Sequence, residues 1–192
     1  MRLFIALNFP DAVRDLVFRA AEPLRVQASG VRWSRPENLH LTIRFLGEMD
    51  AEAEEDLSTR LDVVAGGAHA VSIRFEGFGA FPSPDRPRVI WLGVEATSEL
   101  RLLRERVQEH LAAVGVPRDT GPFRPHVTLG RVKGPGAEIG PRLIAGAARP
   151  DLSTDVCVQT VDLVRSHLTQ AGPRYEILHR AALGMKAEGR EG

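Results

Sequence analysis

Two short segments hold most of the chemistry this chain is equipped to do. His40-Leu41-Thr42-Ile43 and His126-Val127-Thr128-Leu129 repeat one pattern, His-apolar-Thr-apolar, in a chain with six histidines. Both lie in alternating stretches, which predicts strands whose side chains share a face at every second residue. His40 and Thr42 then project from one face, with Leu41, Ile43 and Phe45 on the other. His126 and Thr128 likewise stand opposite Val127 and Leu129. The apolar residues claim the core, leaving each His-Thr pair on the far side of its sheet. Two such strands facing across a cleft line it with two imidazoles and two hydroxyls.

That set of groups suits phosphoryl chemistry. An unperturbed imidazole titrates near neutrality, so one serves as general base while the other, protonated, serves as general acid. On the residues alone the two roles are interchangeable. Threonine hydroxyls donate to non-bridging phosphate oxygens without changing the charge of the site. No cluster of carboxylates offers itself to magnesium. A zinc reading needs a third ligand, which His167 could supply, but the H-E-x-x-H arrangement is absent. The reading is therefore metal-free, with no cofactor. His69, His110 and His179 are read as ordinary histidines, and Arg44, in phase with His40 and Thr42, is expected at the cleft or its rim.

The elements that position these strands follow from periodicity. Residues 2–8 read as a buried strand, and residues 11–28 as a helix capped by Asn8 or Asp11 and ended by Ser29-Gly30. A short extended piece at 31–33 precedes the strand 39–46, and 50–64 is a second amphipathic helix. Strands are expected at 71–78 and 88–94 around the proline-rich loop 81–87, and a third helix at 97–114. The strand 126–132, a short helix at 141–148 and a hairpin of 156–168 with 174–183, turning at 170–173, complete the pass. Helices and strands in comparable number, with late hairpins, predict α+β with mostly antiparallel sheet. Segment 134–140 imitates a glycine-rich dinucleotide loop, but Pro135 removes an N–H and the glycine spacing is too long. Neither a Walker A sequence nor a G-x-S-x-G elbow is present. Cys157, in an apolar alternating stretch, is read as a buried packing residue.

Composition bounds the function further. The 192 residues suit one domain, and 43% hydrophobic with 26% charged residues is ordinary for a globular chain. Balanced charge, 25 basic against 25 acidic side chains, gives no long electrostatic footprint for duplex nucleic acid. Only Lys133 and Lys186 are lysines; the arginine bias reads first as coding bias, though guanidinium also matches phosphate. One cysteine excludes an intramolecular disulfide framework and fits a reducing compartment. No apolar run is long enough to span a bilayer, and the first strand does not read as a signal peptide. A monomeric, cytoplasmic protein without a membrane partner is the expectation.

The paired His-x-Thr-x strands resemble the signature of the two-histidine phosphoesterase superfamily. RLFIALNFP, VRWSRPENLHLTIRFLG, FRPHVTLGRV and LVRSHLTQAGPRYEIL are similar to its bacterial and archaeal RNA 2′,3′-cyclic phosphodiesterases, also called 2′-5′ RNA ligases. The resemblance runs to about residue 184. It implies one two-lobed domain over 1–184, with pseudo-twofold symmetry, sheets around a central cleft and helices outside; 185–192 is expected to be a disordered tail. It implies an RNA end or small cyclic nucleotide as partner, with the 2′,3′-cyclic phosphate opened to a 2′-phosphate. By resemblance His40 is the proton donor and His126 the proton acceptor, while Thr42, Thr128 and Arg131 bind phosphate. Arg131 is out of phase with His126 in a regular strand, so a bulge at Gly130 is expected to turn it inward. Trp33 and Phe123, just before the motifs, are candidates for base stacking or for core packing. Ligation of RNA ends is the reverse reaction, and a catalytically weak binding module of the same fold is the second reading.

Overall fold

The alternation of the first residues becomes β1 (Arg2–Asn8), whose Leu3 to Leu7 are all buried because the strand runs through the middle of a sheet. The structure is a computed structural model and describes residues 1–134, 139–146, 156–170 and 172–184. After β1 come α1 (Asp11–Ala20), α2 (Glu22–Gln27), β2 (Val31–Trp33), a 3-10 turn over Pro36–Asn38, and β3 (His40–Glu48). Next are α3 (Ala53–Gly66), β4 (Val71–Ile73), β5 (Phe75–Phe81), β6 (Val89–Val94), α4 (Ser98–Ala112) and β7 (His126–Val132). The last elements are α5 (Pro141–Gly146), β8 (Val156–Val158), β9 (Thr160–Thr169) and β10 (Gly172–Ala182).

The fold is α+β and its described pairings between strands are antiparallel. The main sheet runs β10-β9-β1-β3-β7-β6-β5, with β2 alongside β7, and splits into two lobes between β3 and β7. Those two strands share one registered pair, Leu41 with Val127, the middle residues of the two His-x-Thr motifs. Antiparallel register then sets His40 beside Thr128 and Thr42 beside His126. Beyond that point β2 takes over the edge of β7, pairing Val31, Arg32 and Trp33 with Val132, Arg131 and Gly130, and the lobes diverge.

One face of the sheet is closed by helices. Leu100, Leu103, Val107 and Leu111, at the spacing of one helical stripe, bring α4 into the same core as Leu41, Ile43, Val127 and Leu129. Thr97 caps α4, its hydroxyl accepting from Leu100 N at 3.3 Å. From α3, Leu57, Leu61 and Val64 enter the same core. With the apolar side of both motif strands committed to this layer, the His-Thr side is left for the cleft.

Several expectations need correction. The helix over 11–28 is two helices with a break at Ala21, because Pro23 fits the first turn of a new helix and not the interior of an old one. Neither Asn8 nor Asp11 caps α1: Pro10 holds the N-cap position, and Asn8 donates to Asp162 instead. The stretches 71–78 and 156–168 each divide, and their first parts pair as a separate ribbon, β4 with β8. In that ribbon Val156 and Val158 turn inward, so Cys157 between them is exposed rather than buried. The tail 185–192, the glycine-loop residues 135–138, residues 147 and 148 of the short helix, and Ala171 of the hairpin turn lie outside the described residues. Among the described residues no helix is long and apolar enough to cross a membrane.

Candidate active site

Each motif histidine is fixed by a backbone carbonyl two residues earlier. His40 Nδ1 lies 2.8 Å from Asn38 O, and His126 Nδ1 lies 2.7 Å from Arg124 O. A carbonyl only accepts, so Nδ1 carries the proton in both rings and the neutral form keeps its lone pair on Nε2. The turn that supplies the first carbonyl is itself held, Asn38 Nδ2 donating to Pro173 O at 2.9 Å. His40 Nε2 is 3.1 Å from Thr42 Oγ1, and in the neutral ring that hydroxyl donates to it.

Both strands then bulge at the same place. Along β3 against β1, Ile5 pairs with Arg44 and Ala6 with Thr42, so Ile43 is the extra residue. Along β7 against β6, Ile90 pairs with Gly130 and Trp91 with Thr128, so Leu129 is the extra residue. A bulge resets which side chains share a face. In β7 it turns Arg131 onto the side of His126 and Thr128, as required, but the extra residue is Leu129 and not Gly130. Gly130 meets a different need: a Cβ there would stand 2.8 Å from Val31 Cγ1 and 2.9 Å from Trp33 Cε3, so it allows β2 to approach. In β3 the same reset corrects two expectations. Arg44 leaves the cleft side and donates to Pro117 O at 2.5 Å, with Asp119 at 3.6 Å. Phe45 comes onto the cleft side in its place, pairing with Phe4 and 62% exposed.

Aromatic rings surround both imidazoles, and they come from other residues than Trp33 and Phe123, for which core packing is the reading that holds. Phe4 stacks on His40 at 4.9 Å and Tyr175 meets its edge at 5.0 Å. Phe81 meets His126 at 4.9 Å, and Trp91 lies 6.2 Å away. Trp33 packs against the core, and Phe123 packs there beneath Arg104, whose guanidinium carbon is 4.8 Å from the ring centre. The one sequence sign for the true set was phase: Trp91 alternates with Ile90 and Leu92, which are fully buried.

Burial and charge then make the histidines unequal. Desolvation lowers His40 from 6.5 to about 4; repulsion from His126 and Arg131 adds to the fall, while the Asn38 carbonyl opposes it. His126 is lowered too, by desolvation first and then by Arg131, against the Arg124 carbonyl. Burial raises the Tyr175 phenol. The free site is thus two neutral imidazoles beside a guanidinium, a cationic cleft short of an anion. Arg32, paired with Arg131 and therefore on the same face, is a second exposed guanidinium that sequence reasoning missed.

The remaining candidates are elsewhere. His167 bonds Glu176 Oε2 at 2.7 Å and, one residue out of phase with the Ser166–Tyr175 pair, faces away from the cleft. His179 bonds Asp62 at 2.8 Å. Among the described residues no group of three or more His, Cys, Asp or Glu gathers as a metal-ligand set.

Comparison with known proteins agrees with this arrangement. The family model for LigT-like phosphoesterases matches twice, over residues 7–91 and 92–175, so each lobe's strand is met by its own copy. An RNA 2′,3′-cyclic phosphodiesterase of Archaeoglobus fulgidus is 38% identical over 178 residues, covering 93% of this chain and 98% of the relative. The crystal structure of TT0787 of Thermus thermophilus superposes with a TM-score of 0.79 at 31% identity, covering 97% of this chain and all of that one. LigT of E. coli, solved in complex with 3′-AMP, superposes with a TM-score of 0.75 at 26% identity, covering 96% and 98%.

Proposed function

Because the chain belongs to the LigT-like phosphoesterase family, we propose that its cleft opens the 2′,3′-cyclic phosphate of an RNA end with His40 as acid and His126 as base. The protein is a hydrolase, and RNA 2′,3′-cyclic phosphodiesterase is its activity, in keeping with relatives that carry that name over most of both chains. In the reaction water attacks phosphorus, His126 Nε2 takes its proton, the P–O3′ bond breaks and His40 Nε2 gives the leaving oxygen a proton. A 2′-phosphate and a free 3′-hydroxyl result. Thr42 and Thr128 donate to non-bridging oxygens, and Arg131 holds the charge.

The observation that carries this reading is the facing of the two motifs across the Leu41–Val127 pair, with each Nδ1 tied to a carbonyl and each Nε2 left for the reaction. His40, neutral when the cleft is empty, needs a proton to act as acid. The bound phosphate anion raises its affinity for one by offsetting Arg131 and His126. Protonation of Nε2 also releases the Thr42 hydroxyl to turn toward phosphate. Neither imidazole needs a metal or cofactor for these transfers.

A 5′-hydroxyl in place of water gives the reverse of cleavage, a 2′-5′ linkage, through the same residues. The reading of a weak binding module has less support, since holding RNA requires no pair of proton-transfer groups. A monomer acting in the cytoplasm completes the proposal, one chain supplying both histidines. The test is incubation with an oligonucleotide ending in a 2′,3′-cyclic phosphate. A 2′-phosphate end is expected; a 3′-phosphate or an unopened ring overturns the mechanism.

A further inference from the structure

The proposed reaction makes no use of Tyr175, whose ring stands nearly perpendicular to His40 at 5.0 Å and to Phe4 at 5.2 Å. Asn38 ties this strand to the histidine. Its carbonyl accepts from His40 Nδ1 at 2.8 Å, and its side chain donates at 2.9 Å to Pro173 O, two residues before Tyr175. On β2, Arg32 Cδ lies 4.0 Å from the place a Cβ would take at Gly172. The start of β10 is thus anchored to the turn before β3 and to β2. That docking carries Tyr175 over the cleft face and against His40.

The phenol itself is left over. Among the described residues its hydroxyl has no hydrogen-bond partner, and it is not one of the unpartnered polar atoms sealed from solvent, as Trp91 Nε1 is. It is therefore open to the cleft. Burial raises the phenol, so it keeps its proton at neutral pH and is a donor, while Arg131 and Arg2 pull the other way. Arg2, two residues before Phe4 on β1, shares the cleft face. Arg131 also acts on His40. The hydroxyl, the imidazole and the guanidinium that holds charge thus border one place, at a potential that suits an anion.

We propose that Tyr175 is a further phosphate-binding residue of this cleft, its hydroxyl donating to a non-bridging oxygen beside Arg131 while its ring holds the His40 imidazole against Phe4. The inference rests on the phosphoesterase reading of the same cleft. Charge builds on the non-bridging oxygens as water attacks, so a donor fixed in advance beside them favours the transition state. The hydroxyl binds the anion directly and the ring acts through His40, so the two contributions are separable.

Two variants of the full chain separate them. Tyr175→Phe keeps the ring and removes the hydroxyl. It is expected to lower kcat/KM for an oligonucleotide with a cyclic phosphate end by about tenfold to a hundredfold. It should weaken inorganic phosphate, titrated by calorimetry, by about tenfold, and leave the alkaline limb of the pH profile in place. Tyr175→Leu removes ring and hydroxyl together. It should also move that limb to higher pH, because His40 loses part of the burial that lowers it. A Tyr175→Phe protein within about twofold of the wild type in kcat/KM, with phosphate affinity unchanged, overturns the inference. So do equal shifts of the limb in the two variants, which would assign the hydroxyl to His40 instead of phosphate. Tyr175→Phe decides the matter alone where Tyr175→Leu does not fold. A wild type that binds phosphate without opening the cyclic end refutes the proposed reaction, and the phosphate titration of Tyr175→Phe still tests this inference.

Discussion

The strands of His40 and His126 are alike for four residues and differ at the sixth. Each histidine donates from Nδ1 to the carbonyl two residues back, is followed at second place by threonine, and meets a bulge at the third residue after it. Five residues after the histidine one strand puts Phe45 on the cleft side and the other puts Arg131 there. A near-symmetric frame thus carries an asymmetric field. Both rings have aromatic neighbours, but His40, between Phe4 and Tyr175, is the more deeply buried, while the His126 half, beside Phe81 and Trp91, brings the cation. That difference lets two chemically identical groups take opposite roles, because an acid and a base that titrate alike give no direction to proton transfer.

The largest effect expected is from the residues the halves share. His40→Ala and His126→Ala are each expected to lower kcat by about 10²–10⁴-fold. As the two act in one step, the double variant should be little worse than either single one. Steady-state kinetics with folding checked by circular dichroism decides this.

The sixth position breaks the comparison directly. Arg131→Met removes a charged contact to phosphate, worth roughly 1.5–3 kcal/mol, and should lower kcat/KM by about 10-fold to 100-fold. It should also move the pH dependence of His40 upward, since Arg131 is one of the causes that lower it. Phe45→Leu is expected to leave that pH dependence in place and to cost about threefold or less in kcat/KM, a side chain of that exposure losing little burial. Equal pH shifts in the two variants would remove the asymmetry.

The threonines sharpen it. Thr42→Val and Thr128→Val each lose one hydrogen bond to the anion with shape kept, for about tenfold in kcat/KM. Thr42→Val should be the more harmful, because Thr42 also holds His40 Nε2 at 3.1 Å. The smallest effect is expected from chelation. Prolonged dialysis against EDTA should leave turnover within about twofold, since proton transfer from water to one imidazole and from the other to O3′ requires no ion. Loss of activity restored by zinc would favour a metal mechanism instead.

How much of this was legible in the sequence follows from what leaves a mark there. Period-two alternation marks the motif strands, so the His-Thr pairs and the apolar Leu41, Ile43, Val127 and Leu129 were assigned to the correct sides. A bulge leaves no such mark at Ile43 or Leu129, both ordinary strand residues, and it decided the fates of Arg44, Phe45 and Arg131. Extending strict alternation past the bulge sent Arg44 to the cleft and Phe45 to the core, the reverse of what is found. The rings around the histidines come from β1, β5, β6 and β10, brought together by sheet order that no local pattern encodes. Trp33 and Phe123 met the core-packing half of their two readings: Trp33 pairs with Gly130, on the side of the sheet away from Arg131 and His126. Cys157 failed for a simpler reason: a strand in a small ribbon has one wet face, and composition alone did not say which residues it held.

The pH dependence of kcat/KM in the wild type and in the two histidine variants tests the acid and base roles most directly. In the free protein both groups titrate below 6.5, His40 at about 4, and the apparent limbs belong to the pair. The wild type should therefore give a bell on the acid side of 6.5, falling toward low pH as His126 gains a proton and toward high pH as His40 loses one. The residual rate of His126→Ala should lose the acid limb and keep the alkaline fall. That of His40→Ala should keep the acid limb and lose the alkaline one. The opposite assignment of limbs, or a bell that survives in either variant, would contradict the account.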